Sequence, residues 1–118
     1  MNNRIFISSA YTNGDLEENV LRQVKAFHHL RDLGWAPYAP LLSHYLDLYK
    51  SRPYEDWISL CFSYLDVCSA IVRIDLHVAS EGGDREAEHA REQNIEVFHE
   101  LRSVPVFYKF KERVKAQC

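Results

Sequence analysis

Residues 80 to 90 read Ser80-Glu81-Gly82-Gly83-Asp84-Arg85-Glu86-Ala87-Glu88-His89-Ala90, which sets a hydroxyl, two adjacent glycines and a carboxylate close together. Paired glycines allow a sharp turn and let a ligand approach the backbone. A helix opening there points unpaired N–H groups and a positive dipole end into the turn, which suits an anion. Glu86, early in that helix, can face the same cleft. Spacing alone leaves a second reading open, in which Asp84, Glu86 and Glu88 only favour the helix dipole. In a partly dry pocket such a carboxylate can attack the anomeric carbon of a sugar and form a covalent glycosyl-enzyme, which water or a second acceptor resolves. That chemistry wants a second group to protonate the leaving base. Ser8, Ser9 and Tyr11 in an earlier loop can position a sugar or phosphate. Spacing does not choose glycosyl transfer over other nucleotide chemistry.

The elements that must position these residues alternate between strand and helix. Arg4–Ser8 is short and apolar and predicts a strand buried on both faces. Asn13 or Asp15 can cap the helix that follows, in which Val20, Val24, Phe27, Leu30 and Leu33 mark one face and Gly34 marks the stop. Trp35–Ala39 predicts a brief second strand, placed nearer a sheet edge by Pro37. Pro40–Tyr49 is an aromatic connection, read as a short packed helix, with a lid over a flat ligand as the alternative. A helix capped at Ser51 should run to about Cys68, with Trp57, Leu60, Cys61, Tyr64 and Cys68 along one side. Ser69–Ile74 is the third strand and Ile95–Phe98 the fourth. The last helix carries Phe107, Phe110 and Val114 on one face and a solvated basic set, Lys109, Lys111, Arg113 and Lys115, elsewhere. The pattern predicts an α/β three-layer sandwich, Rossmann-like or flavodoxin-like, around a parallel sheet of four to five strands. Ligands of such sheets bind beyond the carboxyl ends of the strands, where the strand order reverses. The loop after the first strand and the Ser80–Glu86 turn both belong at that edge, which lifts the functional reading of Glu86 above the bland one.

Other constellations are weaker. His28 and His29 are adjacent on a helix and face different ways, so no shared metal is expected. Arg85 with His89, and His44 with Asp47, are close enough in sequence to pair. No H-E-x-x-H, Walker or G-x-S-x-G pattern occurs, and the first turn lacks a dinucleotide glycine fingerprint. The chain of 118 residues, 47% apolar and 26% charged, fits one domain over residues 1–118. A net charge of −3 argues against a nucleic-acid partner. No apolar run reaches the length of a membrane span and no signal-peptide core is present, so a cytoplasmic protein without a membrane partner is expected. Three cysteines, Cys61, Cys68 and Cys118, make neither a disulfide framework nor a zinc motif.

Taken together, Ile5–Asp15, Pro40-Leu41-Leu42-Ser43-His44, Arg52-Pro53-Tyr54-Glu55-Asp56-Trp57 and Gly82-Gly83-Asp84-Arg85-Glu86 resemble the nucleoside 2-deoxyribosyltransferase-like superfamily, in particular its small bacterial and phage branch. The resemblance extends to about Phe98 and lies in the order and spacing of the motifs. It implies that Glu86, in a G-x-x-x-E-x-x-x-A setting with Gly82 and Ala90, is the nucleophile. It also implies that Ser80, at the position where the branch hydrolysing nucleoside 5′-monophosphates carries a serine, holds a phosphate together with Gly82 and Gly83. Ser8, Ser9 and Tyr11 would then line the sugar pocket, and Ser43 and His44 the base side. Where the family places an aspartate that helps protonate the base, this chain has Cys61, whose ordinary pKa of about 8.5 makes it a poor acid. Asp56 is the candidate replacement. The resemblance thus implies a nucleotide N-glycosidase or transferase acting on a small-molecule nucleotide, with no cofactor or metal, in a homo-oligomer. The alternatives are a catalytically impaired nucleotide binder, serving as sensor or sponge, and a purely structural partner protein.

Overall fold

The computed structural model describes residues 1–117; Cys118 lies outside the described residues. Strands β1 (Arg4–Ser8), β2 (Ala36–Tyr38), β3 (Ala70–Arg73) and β4 (Glu96–Phe98) form one parallel sheet in the order β2-β1-β3-β4. Helices α1 (Leu16–Asp32), α2 (His44–Tyr49), α3 (Tyr54–Leu65), α4 (Glu81–Glu92) and α5 (Phe107–Ala116) complete the chain, with 3-10 turns at Pro40–Ser43 and Leu101–Ser103. The four-stranded α/β sandwich is the expected fold, with β2 at an edge.

The side-chain alternation of the two central strands builds the two cores. Ile5, Ile7, Ala70 and Val72 point to one face and pack with Ala26 and Leu30 of α1, Trp35, and Phe110 of α5. Phe6 and Ile71 point to the other face and meet Leu65 of α3, Cys68, and Ala90 of α4. By the same alternation Ser8 and Arg73, the last residues of β1 and β3 and partners in register, belong to the α3–α4 face. Asp15 caps α1 by accepting from the Glu18 N–H at 3.0 Å. Gly34, with φ +89°, takes the left-handed turn just beyond the C-cap.

Several local expectations change. The buried side of α1 includes Asn19, Val20, Gln23, Ala26 and Leu30, so polar residues replace part of the expected apolar stripe. The reason is that this side also faces the strand-end loops, whose backbone groups need partners. Gln23 donates to the Ile7 carbonyl at 3.0 Å and the Ser9 hydroxyl at 2.9 Å, and accepts from the Leu41 N–H at 3.2 Å. Asn19 donates to the carbonyls of Tyr11 and Asn13. The helix α2 buries none of its residues, so it is not the packed helix expected; Tyr45, Leu46, Leu48 and Tyr49 are exposed. Pro53, not Ser51, occupies the N-cap of α3, and the helix stops at Leu65, short of Cys68. Tyr64 is half exposed but stacks on Tyr38 with ring centroids 4.3 Å apart.

Replacing Gln23 with Leu keeps the volume and strands an Ile7 carbonyl, a Ser9 hydroxyl and a Leu41 N–H without their partner. Urea denaturation should show a loss of about 2–4 kcal/mol.

Candidate active site

Where β1 and β3 end, the sheet reverses its direction of growth, toward β2 on one side and β4 on the other. A cleft of about 530 Å³ opens at that edge. Its walls are the loop after β1 (Ser9 to Asn13), the 3-10 turn and α2 (Pro40, Leu41, Ser43, Asp47), the start and one face of α3 (Arg52, Tyr54, Trp57, Ile58, Cys61), and the turn into α4 (Ala79 to Gly83), with Glu86 also on the lining. That volume falls in the ordinary range for small-ligand sites.

Glu86 is 6% exposed and accepts a hydrogen bond at 2.9 Å from the Ser8 hydroxyl. The Cys61 thiol lies beside it on the lining. Burial raises the Glu86 pKa from 4.5 to about 7, against the bond from Ser8, the neighbouring Cys61 thiol and the charge of Arg73, which favour the ionised form. Burial is also the main reason that the Cys61 thiol is pushed up to about 12, with the Glu86 charge adding to it. Cys68, off the cleft, is likewise raised to about 11 by burial. Cys61 is therefore a neutral neighbour of Glu86 and neither a thiolate nucleophile nor a useful acid near neutrality.

The first turn of α4 comes so close to the strand ends that a side chain at position 83 would crowd three neighbouring side chains. A Cβ there would stand 3.0 Å from Arg73 Nη2 and from Ser80 Oγ, and 3.3 Å from Ser8 Oγ. Ser80 is the N-cap, its oxygen accepting from the Gly83 N–H at 2.9 Å. Its own O–H remains a donor toward the cleft, beside the N–H groups of the first helical turn. Asp84 does not face the cleft but pairs with Arg73 at 2.8 Å.

Of the expected site residues, Ser9, Tyr11, Ser43, Cys61, Ser80, Gly82, Gly83 and Glu86 line one cleft. Ser8 is fully buried beneath it and acts through its bond to Glu86. His44 is not on the lining; its Nδ1 shares a 2.6 Å hydrogen bond with the Tyr11 hydroxyl, joining the β1 loop to the start of α2. Asp56 is a correction. It is exposed, lies off the lining and pairs at 3.6 Å with Arg52, which is itself on the lining, so the structure does not bring it to Glu86. The supposed contacts of Arg85 with His89 and of His44 with Asp47 are also replaced. Arg85 holds Glu55 at 2.9 Å, and His89 pairs with Asp66 and stacks on Phe62.

The sequence reading missed Asp47, Arg52 and Trp57 as cleft residues. Asp47 Oδ1 accepts from Trp57 Nε1 at 2.8 Å and from the Arg52 N–H at 3.1 Å. Its signal was an acidic residue inside an aromatic segment, and a tryptophan one helical turn before Cys61. Arg73, too, was read only as part of a strand.

The fold and the cleft define a small α/β protein with a buried acid in a cleft at the strand ends. The chain belongs to the family described as a domain of unknown function, DUF7768, whose model matches residues 3–100. Curated proteins give no match to it. The matched span contains the whole sheet and every residue lining the cleft.

Because the folded pKa of Glu86 lies above its ordinary value, its contribution to stability is complete below pH 4.5 and is lost as pH rises through about 7. The wild type should lose roughly 3 kcal/mol from this group between pH 4.5 and 9. In urea denaturation at a series of pH values, Glu86→Gln should flatten that decline and be the more stable protein at pH 9.

Proposed function

We propose that this protein is a nucleotide N-glycosidase or 2-deoxyribosyltransferase-like enzyme, cleaving the N-glycosidic bond of a (deoxy)nucleoside 5′-monophosphate with Glu86 as nucleophile. The observation that carries the reading is the buried Glu86 carboxylate, held by Ser8 beside Cys61 on the wall of a cleft that also receives the N-terminus of α4. The resemblance of the motifs to the nucleoside 2-deoxyribosyltransferase-like superfamily supplies the reaction class.

A Glu86 oxygen attacks C1′ of the sugar, a C–O bond forms, and the C1′–N bond breaks with its electron pair going to the base. The base takes up a proton from water in the cleft, since Cys61 holds its own proton too tightly. Water, or the nitrogen of a second base, then attacks C1′ and gives up a proton, and the ester C–O bond breaks to restore the carboxylate. Ser8 keeps its bonded oxygen oriented through both steps. The Ser80 hydroxyl and the Gly82 N–H would receive the 5′-phosphate, helped by the helix dipole. Tyr11 and Ser9 would border the sugar. The reaction as written uses no cofactor or metal. The exposed apolar residues of α2, beside the cleft, support a homo-oligomer.

A second reading is favoured by Cys61. With a thiol where the superfamily carries an aspartate, no carboxylic acid among the described residues stands beside Glu86 to protonate the base, and the protein would bind nucleotides with little or no turnover.

Incubation with a panel of ribo- and deoxyribonucleoside 5′-monophosphates, followed by chromatography for free base, separates the two. Release should fall by at least about a hundredfold in Glu86→Gln, and the wild-type rate should rise with pH through about 7 as the carboxylate ionises. Release that survives the substitution removes Glu86 from the nucleophile role. Binding without release by either protein selects the second reading.

A further inference from the structure

The cleft holds a second carboxylate that the catalytic reading leaves unused. Asp47 has one oxygen, Oδ1, filled by two donors, the Trp57 indole and the Arg52 N–H. Its other oxygen makes no hydrogen bond among the described residues, although Asp47 lines the cleft. The carboxylate is thereby fixed in orientation, with unused acceptor capacity. Its charge is felt at the Tyr11 hydroxyl on the neighbouring wall.

Helix α3 relates this group to Glu86. Trp57, which holds Asp47, and Cys61, which lies beside Glu86, stand four residues apart on one face, a separation of about 6 Å along the axis. Trp57 is the nearer to the N-terminal end of α3, the end that follows Arg52 and Asp47 in the chain. A substrate with its sugar at Glu86 and a flat group along α3 would pass the indole and present its outer edge to Asp47.

We propose that Asp47 is the specificity residue of the cleft and selects bases carrying an exocyclic amino group, cytosine or adenine, over their keto counterparts uracil and hypoxanthine. This rests on the nucleotide reading above. The second oxygen of Asp47 accepts one N–H of the amino group, as acidic side chains accept from the amino group of cytosine in nucleic-acid recognition. A keto oxygen at the same place would face a carboxylate with no proton to share, and both groups would lose their water without gaining a partner. The Trp57 and Arg52 donors keep Asp47 from turning away to avoid that encounter.

The test measures affinity by calorimetry in a Glu86→Gln background, which prevents consumption of the nucleotide. Cytidine is paired with uridine 5′-monophosphate and adenosine with inosine 5′-monophosphate, in ribo and deoxy forms. The amino member of at least one pair should bind about tenfold tighter or better. Adding Asp47→Asn, whose amide can turn its N–H₂ toward a keto oxygen, should bring the pair within about threefold or reverse it. Trp57→Phe, which frees the carboxylate from the indole, is the second variant and should narrow the same preference. Circular dichroism establishes that each variant is folded. Equal binding within both pairs, or a preference unchanged in the folded variants, overturns the assignment and leaves the nucleotide reading standing. Failure of every nucleotide to bind overturns the nucleotide reading, and the assignment of Asp47 with it.

Discussion

The structure turns on one buried acid placed where two parallel strands end. Glu86 is on the second turn of α4, yet its carboxylate lies almost wholly out of water against the Ser8 hydroxyl. An isolated carboxylate in such a place would be costly, and three features reduce the cost. Ser8 donates a hydrogen bond, the neutral Cys61 thiol lies alongside, and Arg73 lends a positive charge from the end of β3. The sheet register makes this possible, since Ser8 and Arg73 are direct partners on the same face. They do not neutralise the penalty, and the remaining imbalance keeps the proton affinity of Glu86 high.

The close approach of α4 to the sheet follows from the same constraint. For Glu86 to reach Ser8, the first turn of the helix must descend onto the strand ends, and Gly83 is where it touches. Ser80 then caps the helix from the cleft side while Asp84, one residue past the contact, turns outward to Arg73. Glycine, serine and glutamate in this short stretch are thus parts of one geometric solution. The polar side of α1 supports it from the opposite face of the sheet. Gln23 ties β1, the Ser9 hydroxyl and the Leu41 backbone together, and Asp75 accepts from the Ala10 N–H while pairing with Arg22.

Much of this was legible from residue order. Short β-branched runs between amphipathic stretches specify a parallel α/β sheet, and Ser80 through Glu86 announces a glycine turn opening a helix. The gathering of Ser9, Tyr11, Ser43, Ser80 and Glu86 at one edge follows from that topology. What stayed hidden depends on side-chain direction. Asn19 and Gln23 break the apolar repeat of α1 because loop backbone must be satisfied, a demand that no periodicity carries. Asp47 precedes α3 and Asp56 lies in its first turn, and only the folded chain decides which of the two lines the cleft. The aromatic content of residues 45 to 49 suggested burial, whereas those rings stand in water on a helix of six residues.

That helix has a mechanical consequence. It contributes no buried side chain, and its ties to the rest of the cleft are polar: His44 to Tyr11 at one end, and Asp47 to Trp57 and Arg52 at the other. Bonds of this kind exchange with water at small net cost, unlike the interlocked aliphatic contacts beneath the sheet. One side of the hollow is therefore a soft rim on a stiff base. Loss of the Tyr11–His44 bond alone would be absorbed by that rim, with Glu86 and its supports left undisturbed below.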